Sequence, residues 1–380
     1  MPTVRLARIE ALVFRYPVAV PVRTSFGTMY SRPALFVRAE DRDGAVGWGE
    51  VWCNFPSVGA EHRARILQEI IAPLVVGREA RTPAAIFAGL EAGLAVLALQ
   101  SGEPGPIRQA IAGLDIAIWD LLARLAGQPL WRFLGGASPD VAAYASGINP
   151  DDAAETAARA LAAGHRAFKL KVGFGIEADC ASLAAVRAVV GAEAPLAVDA
   201  NQAWSISEAC AAAARLEPFE PAWLEEPLRA DRPWSEWREL ARATRIPLAA
   251  GENIAGEGAF SEAIAAEILG VVQPDLAKWG GFTGCLPVAR AVVASRATFH
   301  PHYLGAGIGL AASAHLLAAA GGGGALEMDV NDNPLRDALL PGPLRVREGH
   351  VRLTDAPGLG VEPDLERLRA HRVETTSFRV

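Results

Sequence analysis

The chain has 380 residues, longer than one typical domain, so two domains are the natural expectation. Hydrophobic residues make up 51% and charged residues 21%, a composition that can bury a large core and excludes a disordered chain. A formal net charge of -7 gives no reason to expect a nucleic acid or an anionic membrane as partner, although a local cluster of cations could still hold an anionic ligand. In chain order, the opening MPTVRLARIEALVFRYPV alternates charged and apolar residues and lacks a signal-peptide core. No uncharged apolar run reaches the roughly 18 residues of a membrane span. Next, ALFVRAE and AVGWGEV predict a β-hairpin turned at Asp43-Gly44. Ile107, Ile111, Leu114, Ile118, Leu121 and Leu125 recur on one helical face, closed by Gly127 and Pro129. The stretch WRFLGGASPD then marks a domain boundary. Cys53, Cys180, Cys210 and Cys285 are scattered without a CxxC pair, which predicts reduced thiols and a cytoplasmic protein.

Beyond that boundary the pattern changes to short apolar strands alternating with Ala-rich helical segments such as DDAAETAARALAAG and SEAIAAEILG. The strand candidates are AAYASGI, AFKLKVG, PLAVDAN, AWLEEPL, PLAAGEN, VVQPDL, ATFHPHY and GALEMDV. Eight strands with helical crossovers predict an α/β barrel rather than an open sheet. The crossover after GALEMDV is not clearly helical, so the barrel is expected to be a modified one. The expected division is a capping domain over residues 1–135, a barrel over 136–352 and a tail over 353–380 that packs back on the cap.

The strands end in ionisable groups: Lys169 and Lys171, Asp199, Glu225, Glu252, Asp275, His300 and His302, and Glu327. From Lys171 onward such a group recurs every 23–28 residues, once per βα unit. Packing does not explain that register, since barrel strands are ordinarily filled by Val, Ile and Leu, with catalytic groups at their C-terminal ends. Strand alternation puts Lys169 with Lys171, Asp199 with Asn201, and His300 with His302 on shared faces. Three carboxylates on adjacent strands, with no cysteine or histidine pair beside them, suit a hard cation with oxygen ligands: magnesium, or manganese. For any one of them a barrel-mouth salt bridge or a helix cap is the competing explanation; the shared register favours a site.

These stretches also resemble a family. FKLKVG, VDANQAW, WLEEP, GEN, QPDLAKWGG, HPHYLGAGIGLAASAHLLAA and LEMD, in this order, together with DIAIWDLLARLAGQPLWRFLGG and GAVGWGE, are similar to the enolase superfamily in its mandelate racemase-like group. The resemblance covers nearly the whole chain. It implies an α+β N-terminal capping domain, completed by the C-terminal tail, over a modified TIM barrel, (β/α)7β, with the active site between them. It further implies Asp199, Glu225 and Glu252 as metal ligands and Lys171 as base beside Lys169. Asp275 and His302 match the Asp–His dyad, and Glu327 the acid near the substrate carboxylate. The chemistry is abstraction of the proton α to a carboxylate, by a Lys or His base with magnesium. On this reading a second cation and partial burial lower the Lys171 pKa, and Glu327 is protonated.

Dehydration of a hydroxy acid or acid sugar is the expected outcome, with racemisation or epimerisation as the alternative and cycloisomerisation further behind. Cap loops TSFGTMYSRP and WCNFPSVGA are expected to set specificity through Tyr30, Trp52 and Phe55, beside Asn201, toward a small carboxylate substrate; a homo-oligomer is expected. The GAGIG run (Gly305, Gly307, Gly309) could cradle a phosphate, but it lacks full GxGxxG spacing and reads better as a tight turn. His315 and Glu226 are expected to be structural, and Lys278 a supporting salt bridge. A class I aldolase lysine or a non-catalytic binding barrel would leave the carboxylate register unexplained.

Overall fold

The structure, a computed structural model that describes residues 2–379, opens with β1 (Leu6–Thr24), a long strand the sequence pattern did not single out. β1 pairs antiparallel with β2 (Gly27–Asp41), which pairs with β3 (Val46–Val51). The β2–β3 turn is the predicted one. Asp41 Oδ1 accepts the backbone N–H groups of Asp43 (2.9 Å) and Ala45 (2.8 Å), and Gly44 takes the positive φ (87°) that its lack of a side chain permits. The C-terminal strand Arg372–Arg379 pairs antiparallel with β1, so the tail completes the cap sheet.

A helical run over residues 59–75 and two longer helices complete the cap. α1 (Pro83–Ser101) begins where the Thr82 side chain accepts the Ala85 N–H at 3.2 Å. It is long and apolar enough, by length and composition, to cross a membrane, which the sequence expectation missed because Glu91 interrupts the run. In the fold its Ile86, Leu90 and Leu94 are buried in the cap core, while Val96 and Leu99 are 69% and 78% exposed. α2 (Pro104–Leu125) buries Ile107, Ile111, Leu114, Ile118 and Leu121 of the predicted face, but Leu125, at its last position, is 56% exposed. Gly47 and Gly49 of β3 lie directly on α2; a Cβ at either would collide with the carbonyl of Ala117 or Gly113.

The barrel strands are β4 (Asp140–Ile148), β5 (Phe168–Lys171), β6 (Leu196–Asp199), β7 (Leu224–Glu225), β8 (Leu248–Ala250), β9 (Leu269–Val272), β10 (Thr298–Phe299) and β11 (Ala325–Asp329). They run parallel in the order β11-β4-β5-β6-β7-β8-β9-β10. Among the described residues no ladder joins β10 to β11; there the Ala325 N–H donates to His300 Nδ1 at 3.3 Å. After β11 come only a four-residue helix (Pro334–Asp337) and short strands, of which β12 (His350–Arg352) pairs antiparallel with β4. The barrel is therefore modified at the predicted place.

His315, in the helix Gly307–Ala320, joins the parts. Its Nδ1 accepts the Trp131 N–H (2.9 Å) and its Nε2 lies 3.1 Å from the Leu359 carbonyl oxygen, tying linker and tail to the barrel. Asp120 does the same from α2, accepting the N–H groups of Trp48 (2.8 Å) and Leu359 (2.6 Å). Both residues are buried and satisfied, as buried polar groups must be.

Candidate active site

Strand alternation builds the barrel interior in layers. Tyr144, Ala197, Trp223, Ala249 and Val271 form an apolar floor. Two positions further along the same strands, charged and polar groups take over. Lys169 Nζ lies 5.6 Å from the Tyr144 ring centroid and donates to both Glu225 oxygens (2.6 and 2.7 Å). It is also 2.7 Å from Glu327 and 3.7 Å from Asp199. Trp223 Nε1 (3.1 Å) and Gln273 Nε2 (2.7 Å) donate to Glu225 as well. Ser146 donates to Glu327 at 2.5 Å. Ser146, Trp223 and Gln273 were not singled out from the sequence; their inward register, two residues from Tyr144, Glu225 and Asp275, was the available signal.

The upper layer holds the reactive candidates. Lys171 Nζ donates to Asp199 Oδ2 (2.5 Å) and Asn201 Oδ1 (2.7 Å). Across the mouth, His302 Nδ1 meets Asp275 Oδ2 at 2.8 Å, while Nε2 lies 2.7 Å from Glu252 and 3.9 Å from Glu327. Lys171 and His302 stand on β5 and just after β10, three strands apart one way round the barrel and five the other. Lys278 is 3.3 Å from Glu252, donates to Asn253 at 3.0 Å and lies 4.7 Å from the Trp52 ring centroid, the supporting role expected of it. His300 is a floor residue, its ring 5.0 Å from Trp223, and burial brings its pKa down to about 4.

Two expectations about protonation are reversed. Burial, the largest influence, would lower the Lys171 pKa, but the Asp199 and Glu225 carboxylates together outweigh it and the net shift is upward. Burial would raise Glu327, yet Lys169 and His302 hold it down at about 2, so it is a carboxylate rather than an acid. His302 is also held well above its ordinary value: burial opposes the charge, and Glu252, Glu327 and Asp275 overcome it. In this arrangement the shift favours the imidazolium, a proton donor.

The predicted metal ligands Asp199, Glu225 and Glu252 come from β6, β7 and the end of β8, side by side. As arranged, their oxygens turn to Lys171, Lys169 and the His302–Lys278 pair. Among the described residues no three His, Cys, Asp or Glu side chains converge on one point. The charge balance nevertheless fits a divalent ion. Asp199, Glu225, Glu226, Glu252, Asp275 and Glu327 are set against only Lys169, Lys171, Lys278 and His302, two positive charges short. The shortfall shows in two carboxyl groups, although Lys169 reaches one of them, Glu225. Burial, and then Glu252, push the Glu226 carboxyl well above its ordinary range, and burial raises Glu225 to about 7. Glu226 accepts only from Asn253 Nδ2 (3.0 and 2.9 Å). An all-oxygen donor set with excess negative charge suits a hard cation such as magnesium.

Of the cap residues, Trp52 reaches the mouth at Lys278, and Phe55 packs edge-on against Phe26 (centroids 5.1 Å). Tyr30 lies on β2, 73% exposed, and no described contact joins it to the charged cluster. Asn201 sits at the mouth in a left-handed conformation (φ 44°), and its carbonyl accepts the Ser25 hydroxyl at 2.6 Å. The GAGIG turn has an internal occupant. Buried Glu50 of β3 accepts the N–H groups of Ala306 (2.6 Å) and Gly309 (2.8 Å), filling the cradle a phosphate would use.

Fold and site together define a capped (β/α)7β barrel with an acid-rich, lysine-flanked mouth. Residues 8–135 match the family "Mandelate racemase / muconate lactonizing enzyme, N-terminal domain", and residues 152–368 match "Enolase C-terminal domain-like". The chain belongs to the enolase superfamily, in its mandelate racemase/muconate lactonizing enzyme family. It is 56% identical to a mandelate racemase/muconate lactonizing enzyme from Bordetella bronchiseptica RB50, with a TM-score of 0.91 over 97% of this chain and 100% of that one. It is 30% identical to the D-galactarolactone cycloisomerase of Agrobacterium fabrum, over 97% of this chain and 99% of the relative. The structure of an L-talarate/galactarate dehydratase mutant liganded with Mg and L-glucarate superposes with a TM-score of 0.86 at 26% identity, covering 100% of this chain and 94% of that one.

Proposed function

We propose that the protein is a magnesium-dependent enzyme that removes the proton α to the carboxylate of a small acid and dehydrates a hydroxy acid or acid sugar. The observation that carries this reading is His302, clamped by Asp275 at 2.8 Å and placed across the barrel mouth from Lys171. Asp199, Glu225 and Glu252 would hold the ion, which when bound supplies positive charge beside the substrate carboxylate. With Asp199 turned to the ion, Lys171 would lose the charge pairing that raises its pKa, give up a proton to solvent and, as a neutral amine held by Asn201, take the α-proton. The C–H electron pair becomes the carbon–carbon double bond, and the β-C–O bond breaks. His302 Nε2 gives its proton to the departing hydroxyl, which leaves as water, and the enol product tautomerises to a 2-oxo acid. Lys169, fixed by Glu225 and Glu327, keeps a second positive charge nearby.

Returning the His302 proton to the α-carbon instead would give racemisation or epimerisation; the opposed placement of Lys171 and His302 supports this second reading. Lys171→Ala enzyme in deuterated solvent, given a substrate analogue lacking the β-hydroxyl, is expected to exchange only the enantiomer facing His302. His302→Asn enzyme should exchange only the other. Both exchanges should stop with exhaustive chelation, and exchange of one same enantiomer by both variants would defeat the two-base assignment. The four free cysteines support a cytoplasmic location, and the exposed apolar face of α1 supports a homo-oligomer, which sedimentation at micromolar concentration would detect.

A further inference from the structure

Every barrel strand is followed by a covering helix of nine residues or more except β11, whose crossover holds only the four-residue helix Pro334–Asp337. On the outer wall at that place lies a cleft of about 610 Å³, between the helix Ala153–Ala162 and residues 344–347. Met328 lines it from β11. Alternation turns Met328 outward and Glu327 inward, so the cleft and the charged mouth lie on opposite faces of the strand. Arg159, Arg336, Arg345 and Arg347 line the cleft against only two carboxylates, Asp329 and Asp337. Both of these are neutralised in place, Asp329 by Arg32 and Asp337 by Arg336 at 2.8 Å. Arg345 and Arg347 are exposed and, among the described residues, enter no ion pair. Arg159 lies 3.2 Å from Glu155 and 3.6 Å from Asp152, but in pairs open to solvent, which hold it weakly. His165 lines the same cleft. It is 5% exposed, yet its Nδ1 is buried without a hydrogen-bond partner. A buried polar atom is ordinarily paired, and an unpaired one calls for a specific explanation. Burial, helped by the Arg336 charge, lowers its pKa to about 4, so the ring is neutral and offers a hydrogen bond rather than another charge.

We propose that this cleft is a second binding site, for a small hydroxylated phosphate monoester, with the phosphate held by Arg345 and Arg347 and a hydroxyl of the organic part bonded to His165. A phosphate monoester carries a charge of about -1.5 to -2 near neutral pH and three strong acceptor oxygens. That matches two unpaired guanidinium forks, which bind phosphate in bidentate fashion, and Arg159 can turn from its exposed partners to join them. A carboxylate brings half the charge and two oxygens, and would leave one fork unmatched. The cleft is too roomy for a bare ion, its volume lying among those of small-molecule pockets, about 300–1,000 Å³. Its remaining wall, Leu344, Val346 and Met328, is apolar and suits the carbon skeleton. A neutral imidazole can donate to a hydroxyl or accept from one, which pairs the buried nitrogen. The inference does not depend on the reaction proposed for the barrel mouth, since no group in it faces Lys171 or His302.

Calorimetry on the full-length protein with magnesium tests this directly, with ribose 5-phosphate, ribose, inorganic phosphate and succinate as probes. Ribose 5-phosphate is expected to bind saturably, inorganic phosphate at least about tenfold more weakly, and ribose not at all. The double variant Arg345→Ser/Arg347→Ser alters only exposed side chains, so it should melt near the wild-type temperature while binding ribose 5-phosphate at least about tenfold more weakly. His165→Leu should weaken ribose 5-phosphate about three- to tenfold and leave inorganic phosphate unchanged, the size of one neutral hydrogen bond. His165→Gln, which keeps a donor and an acceptor, should recover most of that loss. His302→Asn should bind ribose 5-phosphate as the wild type does, and succinate should show no binding that the arginine variant loses. Absence of saturable binding by ribose 5-phosphate, equally tight binding of ribose or inorganic phosphate, or undiminished binding in the arginine variant would each overturn the inference. So would loss of binding in His302→Asn, which would place the ligand in the barrel mouth.

Discussion

His300, His302 and His315 are all buried, yet their neighbours give them three different chemistries. Sequence alternation placed His300 and His302 on one face, but β10 ends at Phe299 and the rule ends with it. His300 therefore packs on Trp223 below the charged layer, and His302 reaches Asp275 and Glu252 within it. The spacing of Asp275 and His302 was legible because it follows from one βα repeat; the protonation states of Lys171 and Glu327 were not, because they depend on which opposite charge lies within 3 Å. His315 offers a residue-level prediction. Burial lowers its pKa to about 4, so the folded protein holds it neutral while the unfolded chain takes up a proton below about pH 6.5. Its contribution is present above pH 6.5 and is lost as pH falls toward 4, on the order of 3 kcal/mol at the limit. His315→Gln should thus show a smaller drop in thermal midpoint between pH 7 and pH 5 than the wild type, whatever its midpoint at pH 7. Parallel curves for the two proteins would refute this.

At the scale of elements, the most instructive case is the helix that follows GAGIG. Its glycines and its position after a strand resemble a phosphate cradle, and the reading against one rests on incomplete GxGxxG spacing and the lack of a Rossmann strand order. The physical reason is Glu50, more than 250 residues away in sequence, which brings its own carboxylate to the helix start. Nothing local in the sequence announces such a partner. The long strand β1 was not singled out because both of its faces are buried over Ile9–Phe14: Ile9, Ala11 and Val13 lie in the cap core, and Leu12 and Phe14 in the core shared with the barrel. Replacing Glu50 tests the cradle. Glu50→Gln keeps an oxygen to accept the Ala306 and Gly309 N–H groups, whereas Glu50→Leu leaves both buried and unpaired, at about 1–3 kcal/mol each. Thermal melting should therefore find Glu50→Leu clearly less stable than Glu50→Gln. Burial has already raised the Glu50 carboxyl to about 7, so the neutral amide should cost little near neutral pH.

For the whole molecule, the eight barrel strands and the return of the tail to the cap could be anticipated from repeat length and order, since each βα unit carries its own hydrophobic signal. What could not be read was how the tail returns. Leu359 bonds to Asp120, His315 faces the Leu359 carbonyl, and only then does the strand Arg372–Arg379 pair with β1 along its length, from Arg8 opposite Arg379 to Phe14 opposite Arg372. That strand is largely exposed and carries few apolar side chains, so its contribution lies in backbone pairing rather than core burial. Removing residues 372–380 should accordingly spare the barrel, whose core clusters do not include them, while uncovering the edge of β1. An uncovered edge with buried neighbours such as Ile9, Leu12 and Val13 is a template for pairing with another chain. The truncated protein is expected to keep most of its far-ultraviolet circular dichroism but to melt at lower temperature and to form concentration-dependent aggregates. Because Ser25 and Trp52 reach the barrel mouth from the same cap sheet, ligand affinity should weaken more than the barrel's own stability. A truncated protein that remains as stable and as well dispersed as the full chain would show that β1 needs no partner on that edge, and that the cap is held by Asp120 and His315 alone.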